Sequence, residues 1–373
     1  MNSLQVNRLL EVAARTLRSQ HEVKRLQPAY YSAFHRNIAE MNPRILERLD
    51  QLYAIGIGPG ANRVGGTAEE DRAHALATRW MKEAGLAVEV DRAGNLVGRT
   101  ADARVMTGSH LDSVPNGGRF DGALGVVAGI EAVERLGRGA VVAFRDEERG
   151  CVGSAAFVER PDCFLELHIE QGPVLENAGV PLGLVTRIVG VVRAEPSFAG
   201  QPGHAGTVPM PGREDALIAA AEYVLRVRDA AAAIPDAVAT VGRLKVEPGF
   251  ENVIPGRVRV SVDARAPDAE RLDRLVQELE LEPTFRLEPV RMAGEPLEAL
   301  RRELDERGIE YVELQSGAGH DAAILAGAGV PTAMLFVRSL NGGASHSPAE
   351  LSSEEDISLA IDVLEGAIRR LTR

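Results

Sequence analysis

The sequence predicts an α/β protein with a twisted, largely parallel sheet, interrupted by an inserted ferredoxin-like α+β segment. Three observations lead there. Between residues 105 and 169 short apolar strands alternate with helical stretches, the pattern of a parallel sheet covered by helices. From 191 to 292 the order becomes strand, helix, strand, strand, helix, strand, which is that of a ferredoxin-like sandwich. After 295 the first pattern resumes, so the first domain is discontinuous. The 373 residues suffice for two domains at roughly 100–200 residues each. We place them at 1–184 with 295–373, and at 185–294.

The elements follow in order. Residues 1–43 read as a helical extension broken near Pro28 and Pro43, with Tyr30, Tyr31 and Phe34 as a packing face. Helices are expected at 43–53 and 69–84, separated by the Gly-rich stretch 56–66. A strand at 105–108 precedes a helix at 121–136, in which Leu124, Val127, Ile130 and Val133 recur at helical spacing. Strands follow at 140–144 and 164–169. In the insert, strands are expected at 191–199, 237–246, around the alternating Val258, Val260 and Val262, and at 284–292. Helices at 213–231 and 267–280 separate them. The closing pattern is a helix at 298–307, a buried strand at 332–337 and a last helix opened by a capping box, Ser352-Ser353-Glu354-Glu355.

Composition narrows the function. Hydrophobic residues at 45% and charged residues at 26% describe an ordinary globular chain. A net charge of -12 without a basic stripe argues against nucleic acid. No run approaches the roughly 18 apolar residues of a membrane span. Two cysteines, Cys151 and Cys163, and an N-terminus lacking a basic-then-apolar segment lead us to expect a reducing, cytoplasmic location.

Chemistry gathers at strand ends. Of eight histidines, His21, His35 and His74 lie in the N-terminal helical stretches and read as surface or packing residues. The other five fall in Gly-rich or strand-end contexts. His110 and Asp112 follow the 105–108 strand, two apart and so on one side of an extended segment, where Asp112 can fix the imidazole tautomer. Taken alone, a His-x-Asp pair is equally a way of satisfying backbone groups at a strand end. Asp121 stands at a helix start, where an N-cap is the ordinary use, but its flanking glycines allow a close approach instead. Glu147 and Glu148 follow the 140–144 strand; adjacent carboxylates there can divide metal binding and proton transfer, or form a solvated acidic run. On the third strand Glu166, His168 and Glu170 share one face, pointing into a cavity or solvent. His346 follows the 332–337 strand. Together His110, Asp121, Glu148, His168 and His346 form a mixed imidazole–carboxylate set. Such a set suits zinc, manganese, cobalt or nickel rather than calcium, with one carboxylate bridging two ions about 3.5–4 Å apart.

These segments resemble the M20 metallopeptidase superfamily and, within it, the hydantoinase/carbamoylase branch of N-carbamoyl-L-amino-acid amidohydrolases, allantoate amidohydrolases and β-ureidopropionases. The resemblance covers about 44–373. It rests on GSHLDSVPNGGRFDGALG (108–125), DEE (146–148), ELHIEQGPVLE (166–176), GHAGTVPM (203–210), NVIPG (252–256), SGAGHDA (316–322) and GGASHSP (342–348). It implies His110 and His168 on one metal, Glu148 and His346 on the other, and Asp121 between them. Glu147 would be the general base and His204 the oxyanion donor. Asn252 and Arg265 would clamp a substrate carboxylate, with Gln171 and Gly319 lining the pocket. The 185–294 insert would act as lid and homodimer interface. The implied reaction is hydrolysis of the carbamoyl or ureido C–N bond of a small carboxylate substrate. An M20 aminoacylase or exopeptidase, and a non-catalytic binding protein, are the alternatives. Two departures stand out: the stretch between Glu148 and the HIEQG strand is short, and residues before about 44 have no counterpart in the branch.

Overall fold

The computed structural model describes residues 23–24 and 43–373. The aromatic cluster Tyr30, Tyr31 and Phe34, and His21 and His35, lie outside the described residues. Before Pro43 the two described residues, Val23–Lys24 (β1), form a strand where a helix was expected. They pair antiparallel with 311–312, and cross-strand backbone bonding outweighs local helical preference.

Up to the insert come α1 (Pro43–Tyr53), α2 (Ala68–Glu83), β2 (Ala87–Val90), β3 (Leu96–Arg99), β4 (Val105–His110), α3 (Ala123–Leu136) and β5 (Ala140–Phe144). Then follow α4 (Val152–Ala155), β6 (Cys163–Ile169), α5 (Val174–Ala178) and β7 (Leu182–Ile188). The insert contains β8 (Gly190–Ala194), β9 (Ser197–Ala199), β10 (Gly203–His204), α6 (Ala216–Ala232), β11 (Val238–Glu247), β12 (Val253–Ile254), β13 (Arg257–Ala266), α7 (Ala269–Glu278), β14 (Pro283–Leu287) and β15 (Val290–Arg291). The chain closes with α8 (Glu295–Arg307), β16 (Tyr311–Ser316), α9 (Asp321–Gly327), β17 (Thr332–Val337) and α10 (Glu354–Leu371).

Two compact units result. One ends at Thr186 and resumes at Arg291; the other is Arg187–Val290. The first is built on a sheet in the order β1-β16-β7-β17-β6-β4-β5-β3-β2. Its centre, β17-β6-β4-β5, is parallel, and β7 and β3 add to it antiparallel. The central strands β4, β5, β6 and β17 are buried along their whole length, as expected of a sheet covered on both faces. Helix α3 is buried nearly all round, with Leu124, Val127, Ile130 and Val133 inaccessible. Parallel pairing aligns strand ends: His110 lies opposite Phe144, so the acidic run after β5 begins beside it.

The second unit is an antiparallel sheet in the order β11-β13-β8-β14, the strand order of a ferredoxin-like sandwich. Val192, Val260, Tyr223, Leu272 and Leu275 join its core, bringing β8, β13, α6 and α7 together. The expected strand 191–199 is broken into β8 and β9 around Pro196, which has no N–H for a ladder and only accepts, from Val260 N at 3.0 Å. The expected strand 284–292 is likewise split beside Pro289. At α10 the cap is Ser353, one residue beyond the start of the expected box; its hydroxyl accepts from Asp356 N at 3.1 Å.

Candidate metal centre

The site is assembled at the C-terminal ends of β4, β5, β6 and β17, where open α/β sheets place ligands. His110 closes β4 and is buried. Its Nδ1 lies 3.3 Å from Asp112 Oδ1, and its Nε2 lies 3.5 Å from Asp121 Oδ1 and 3.8 Å from Glu147 Oε2. Asp112 also accepts the backbone N–H of Glu147 and of Glu148, each at 3.1 Å. One inaccessible carboxylate thus orients the imidazole and ties the end of β4 to the turn after β5.

Asp121 does not cap α3. The cap position belongs to Gly122, at φ 61, and no side chain caps the helix. A Cβ at Gly122 would stand 2.4 Å from His110 Cε1, so both backbone conformation and space require glycine there. The Asp121 side chain is left to face the histidines. Its Oδ1 lies 3.3 Å from His168 Nε2 as well as near His110 Nε2, and its Oδ2 lies 3.3 Å from His346 Nε2. His168 Nδ1 bonds to Ile169 O at 2.9 Å, which directs Nε2 toward Asp121. His346, at φ 54, stands 3.5 Å from Glu148 Oε2 and is half exposed.

Two donor groups therefore share Asp121: His110, Asp121 and His168; and Asp121, Glu148 and His346. Within each, the candidate ligand atoms lie within 4.8 Å of one another. A third group, Glu166, His168 and His320, meets the same distance criterion. Its carboxylate is already engaged, accepting from Ser109 Oγ at 2.7 Å and from Ala322 N at 2.8 Å. The polar face of β6 does not open to solvent: Glu166 and His168 are buried, and Glu170 accepts the backbone N–H of Val174 and Leu175.

The electrostatics fit a cation. Burial opposes charge on His110, yet Glu147, Asp112 and Asp121 outweigh it and hold the imidazole well above its ordinary pKa. The Asp121 contact, reinforced by Glu148, raises His346 to about 9. Asp121 is held well below the usual carboxylate range: burial resists ionisation, but His110, His168 and His346 together prevail. Without a metal, protons on imidazoles thus balance the carboxylates, and a divalent ion can replace them. Glu147 behaves oppositely. Burial pushes its carboxyl well up, opposed by His110 and assisted by Asp321 and Glu148.

Gln171, expected to line a pocket, sits against the same group. Its Nε2 donates to Asp121 Oδ2 at 2.8 Å and to Ser345 Oγ at 3.2 Å. Gly319 immediately precedes buried His320, whose Nε2 lies 2.8 Å from Ser316 Oγ. In the Arg187–Val290 unit, His204 is exposed on β10 and pairs with Val253, and the adjacent Asn252 carbonyl accepts from Ala205 N at 3.0 Å. Arg265, on β13, grips Asp263 through Nε and Nη2 at 2.7 and 3.1 Å.

Four residues escaped the sequence reading. Asp321 is inaccessible, and among the described residues neither of its oxygens lies in hydrogen-bond geometry with a donor; the neighbouring Ser154 hydroxyl donates to Cys151 O at 3.3 Å. Burial, then the charge of Glu166, raises Asp321 to about 8. Cys151 Sγ lies 3.7 Å from Glu147 Oε1. Glu350 and Ser345 lie behind Asp121. The available signals were slight: Glu350 follows His346 by four residues, and Asp321 lies within the quoted SGAGHDA segment.

Residues 106–370 match the model of peptidase family M20/M25/M40. The chain is 37% identical to an N-carbamoyl-L-amino acid amidohydrolase of Geobacillus stearothermophilus, covering 88% of this chain and 98% of that one. That alignment spans 404 positions against a chain of 373 residues, so the relative carries segments absent here. An allantoate amidohydrolase of Bacillus subtilis is 31% identical over 86% of this chain and 94% of its own. Among solved structures, a hydantoinase/carbamoylase family amidase from Burkholderia vietnamiensis superposes with a TM-score of 0.79 at 32% identity, covering 89% of this chain and 97% of that one.

Proposed function

The chain belongs to peptidase family M20/M25/M40, and from that premise we propose that it is a metal-dependent amidohydrolase cleaving the carbamoyl or ureido C–N bond of a small carboxylate compound. The observation that carries the reading is the division of Asp121, with Oδ1 toward His110 and His168 and Oδ2 toward His346 beside Glu148. A carboxylate so placed would serve as a ligand shared by two ions. His110 and His168 would hold one ion, and Glu148 and His346 the other. Mixed nitrogen and oxygen donors suit zinc, manganese, cobalt or nickel. Bound there, the ions would supply an acidified water and a polarised carbonyl.

Glu147 does the proton work. Its carboxylate is buried and lies 3.8 Å from His110 Nε2, in a place from which bulk water is largely excluded. It takes a proton from the attacking water and gives it to the leaving nitrogen. From an N-carbamoyl substrate the products are an amine and carbamate, which breaks down to carbon dioxide and ammonia. His204 is assigned to the developing oxyanion, and Asn252 and Arg265 to the substrate carboxylate. Arg265 suits that task through its planar fork, which a substrate must win from Asp263. Gln171 and Gly319 line the pocket.

The Arg187–Val290 unit is assigned to lid and homodimer contacts. Its edge strand β11 exposes Val238 and Leu244, and α6 exposes Ile218 and Leu225; the strand edge is the element suited to pairing with a second copy.

The test is a hydrolysis panel on metal-reconstituted protein. N-carbamoyl-L-amino acids, allantoate and ureidopropionate are compared with N-acetyl amino acids and dipeptides. Turnover confined to the ureido compounds is expected. Turnover confined to the acyl compounds and dipeptides replaces the reading with an aminoacylase or exopeptidase.

A further inference from the structure

Glu350 is a buried carboxylate with no part in the chemistry above, yet three donors converge on it. Oε1 accepts the backbone N–H of Phe120 at 2.7 Å and of Asp121 at 3.1 Å. Oε2 lies 3.2 Å from Ser345 Oγ. The chain makes room for it: a Cβ at Gly118 would stand 2.0 Å from Glu350 Cδ. The Ser345 hydroxyl is also 3.3 Å from Asp121 Oδ2 and receives Gln171 Nε2 at 3.2 Å. A serine has one proton to donate. It can go to Glu350 or to Asp121 Oδ2, not to both.

Asp121 Oδ2 already accepts Gln171 Nε2 at 2.8 Å, which leaves one lone pair on that oxygen. We infer that Glu350 is a positioning residue for the metal pair: by accepting the Ser345 proton it keeps that remaining lone pair of Asp121 Oδ2 for the ion shared with Glu148 and His346. The inference rests on the two-metal reading of the site. Two backbone N–H groups fix which oxygen of Glu350 faces them, so the other always faces Ser345. Glu350→Gln keeps the volume. Its amide oxygen must face Phe120 N and Asp121 N, and its NH2 must face Ser345. The hydroxyl then accepts from that NH2 and turns its proton onto Asp121 Oδ2, in competition with the metal. Asp121 Oδ1, toward His110 and His168, is untouched. The consequence is selective: one of two metal equivalents weakens.

The experiment titrates metal-free full-length protein with Zn2+ against a chelator of known affinity, and with Co2+ by visible absorption, beside the melting temperature of each metal-free variant. Wild type is expected to take two equivalents; a single equivalent overturns the two-metal reading itself. With two bound to wild type, Glu350→Gln is expected to weaken one equivalent by about 10–100-fold and spare the other. The double variant Glu350→Gln/Ser345→Ala, which has no hydroxyl to misdirect, is expected to recover it. Gly118→Ala, which displaces the Glu350 carboxylate, is expected to lose the same equivalent if the glutamine variant fails to fold. Unchanged binding in Glu350→Gln, equal weakening of both equivalents, or a double variant no better than the single one overturns the inference.

Discussion

Two neighbouring carboxylates, Glu147 and Glu148, have different surroundings and should fail differently. Glu148 faces His346, whereas Glu147 faces His110 and the Cys151 thiol. Glu147→Gln should retain both metals and lose turnover by about 10²–10⁴-fold, since an amide cannot accept the water's proton. Glu148→Gln should lose one metal equivalent. Elemental analysis beside kinetics separates them, and equal metal loss in both rejects the division of labour. Asp321 offers a second test. Its folded-state pKa, about 8, lies above the ordinary 3.8, so the folded state favours its protonated form. That contribution to stability is fully present below about pH 4 and is lost as pH rises through about 8. Asp321→Asn imitates the protonated carboxyl at every pH. Its metal-free melting temperature should therefore fall less between pH 5 and 8.5 than that of wild type. Parallel curves would show that Asp321 is ionised throughout.

At the scale of elements, strand ends do the positioning and helix ends hold the frame. The Ser353 hydroxyl caps α10, while Asp356, at the position a capping box would use, turns instead to Arg338 at 2.9 and 3.1 Å. Ser353→Ala should cost about 1 kcal/mol, read by urea denaturation, with metal content unchanged. On β13 Arg265 grips Asp263, and a substrate carboxylate would compete for the same fork. A substrate clamp predicts that Arg265→Ala costs about 2–5 kcal/mol in kcat/KM on a carboxylate substrate and much less on its neutral amide. Arg265→Lys should not rescue, because an ammonium lacks the fork. Equal losses on acid and amide, with a lowered melting temperature, would mark a purely structural ion pair.

For the whole molecule, the Arg187–Val290 unit presents the edge strand β11 with Val238 58% and Leu244 42% exposed, a ladder whose outer side is unpaired among the described residues. Sedimentation of the full chain should show a dimer, and Val238→Lys with Leu244→Lys should shift it toward monomer, since charges on an edge strand oppose pairing. A wild-type monomer at micromolar concentration would end the dimer reading. Among the described residues, no helix is long and apolar enough to cross a membrane.

Local patterns in the sequence determined much of this. Apolar runs and the glycines around them marked β4, β5, β6 and β17, because a strand buried on both faces is mostly apolar except where a polar side chain finds a partner. Period two put Asp112 on the same side as His110, and the 3.3 Å between their side chains follows from that. The order of elements pointed to the ferredoxin-like insert, since that order is a property of the chain itself. Tertiary structure decided the rest. At Asp121 the sequence offers both a helix cap and a metal-type ligand, and it is the packing of β4, β6 and the loop after β17 that brings three imidazoles to it. Glu166 and Glu170 read as facing an opening until Ser109, Ala322 and the start of α5 occupy their oxygens. Glu350 is separated from Asp121 by 229 residues, and Asp321 meets like charges drawn from other elements. A charge's partner and its degree of burial are set by which segments pack together, and no window of sequence contains that.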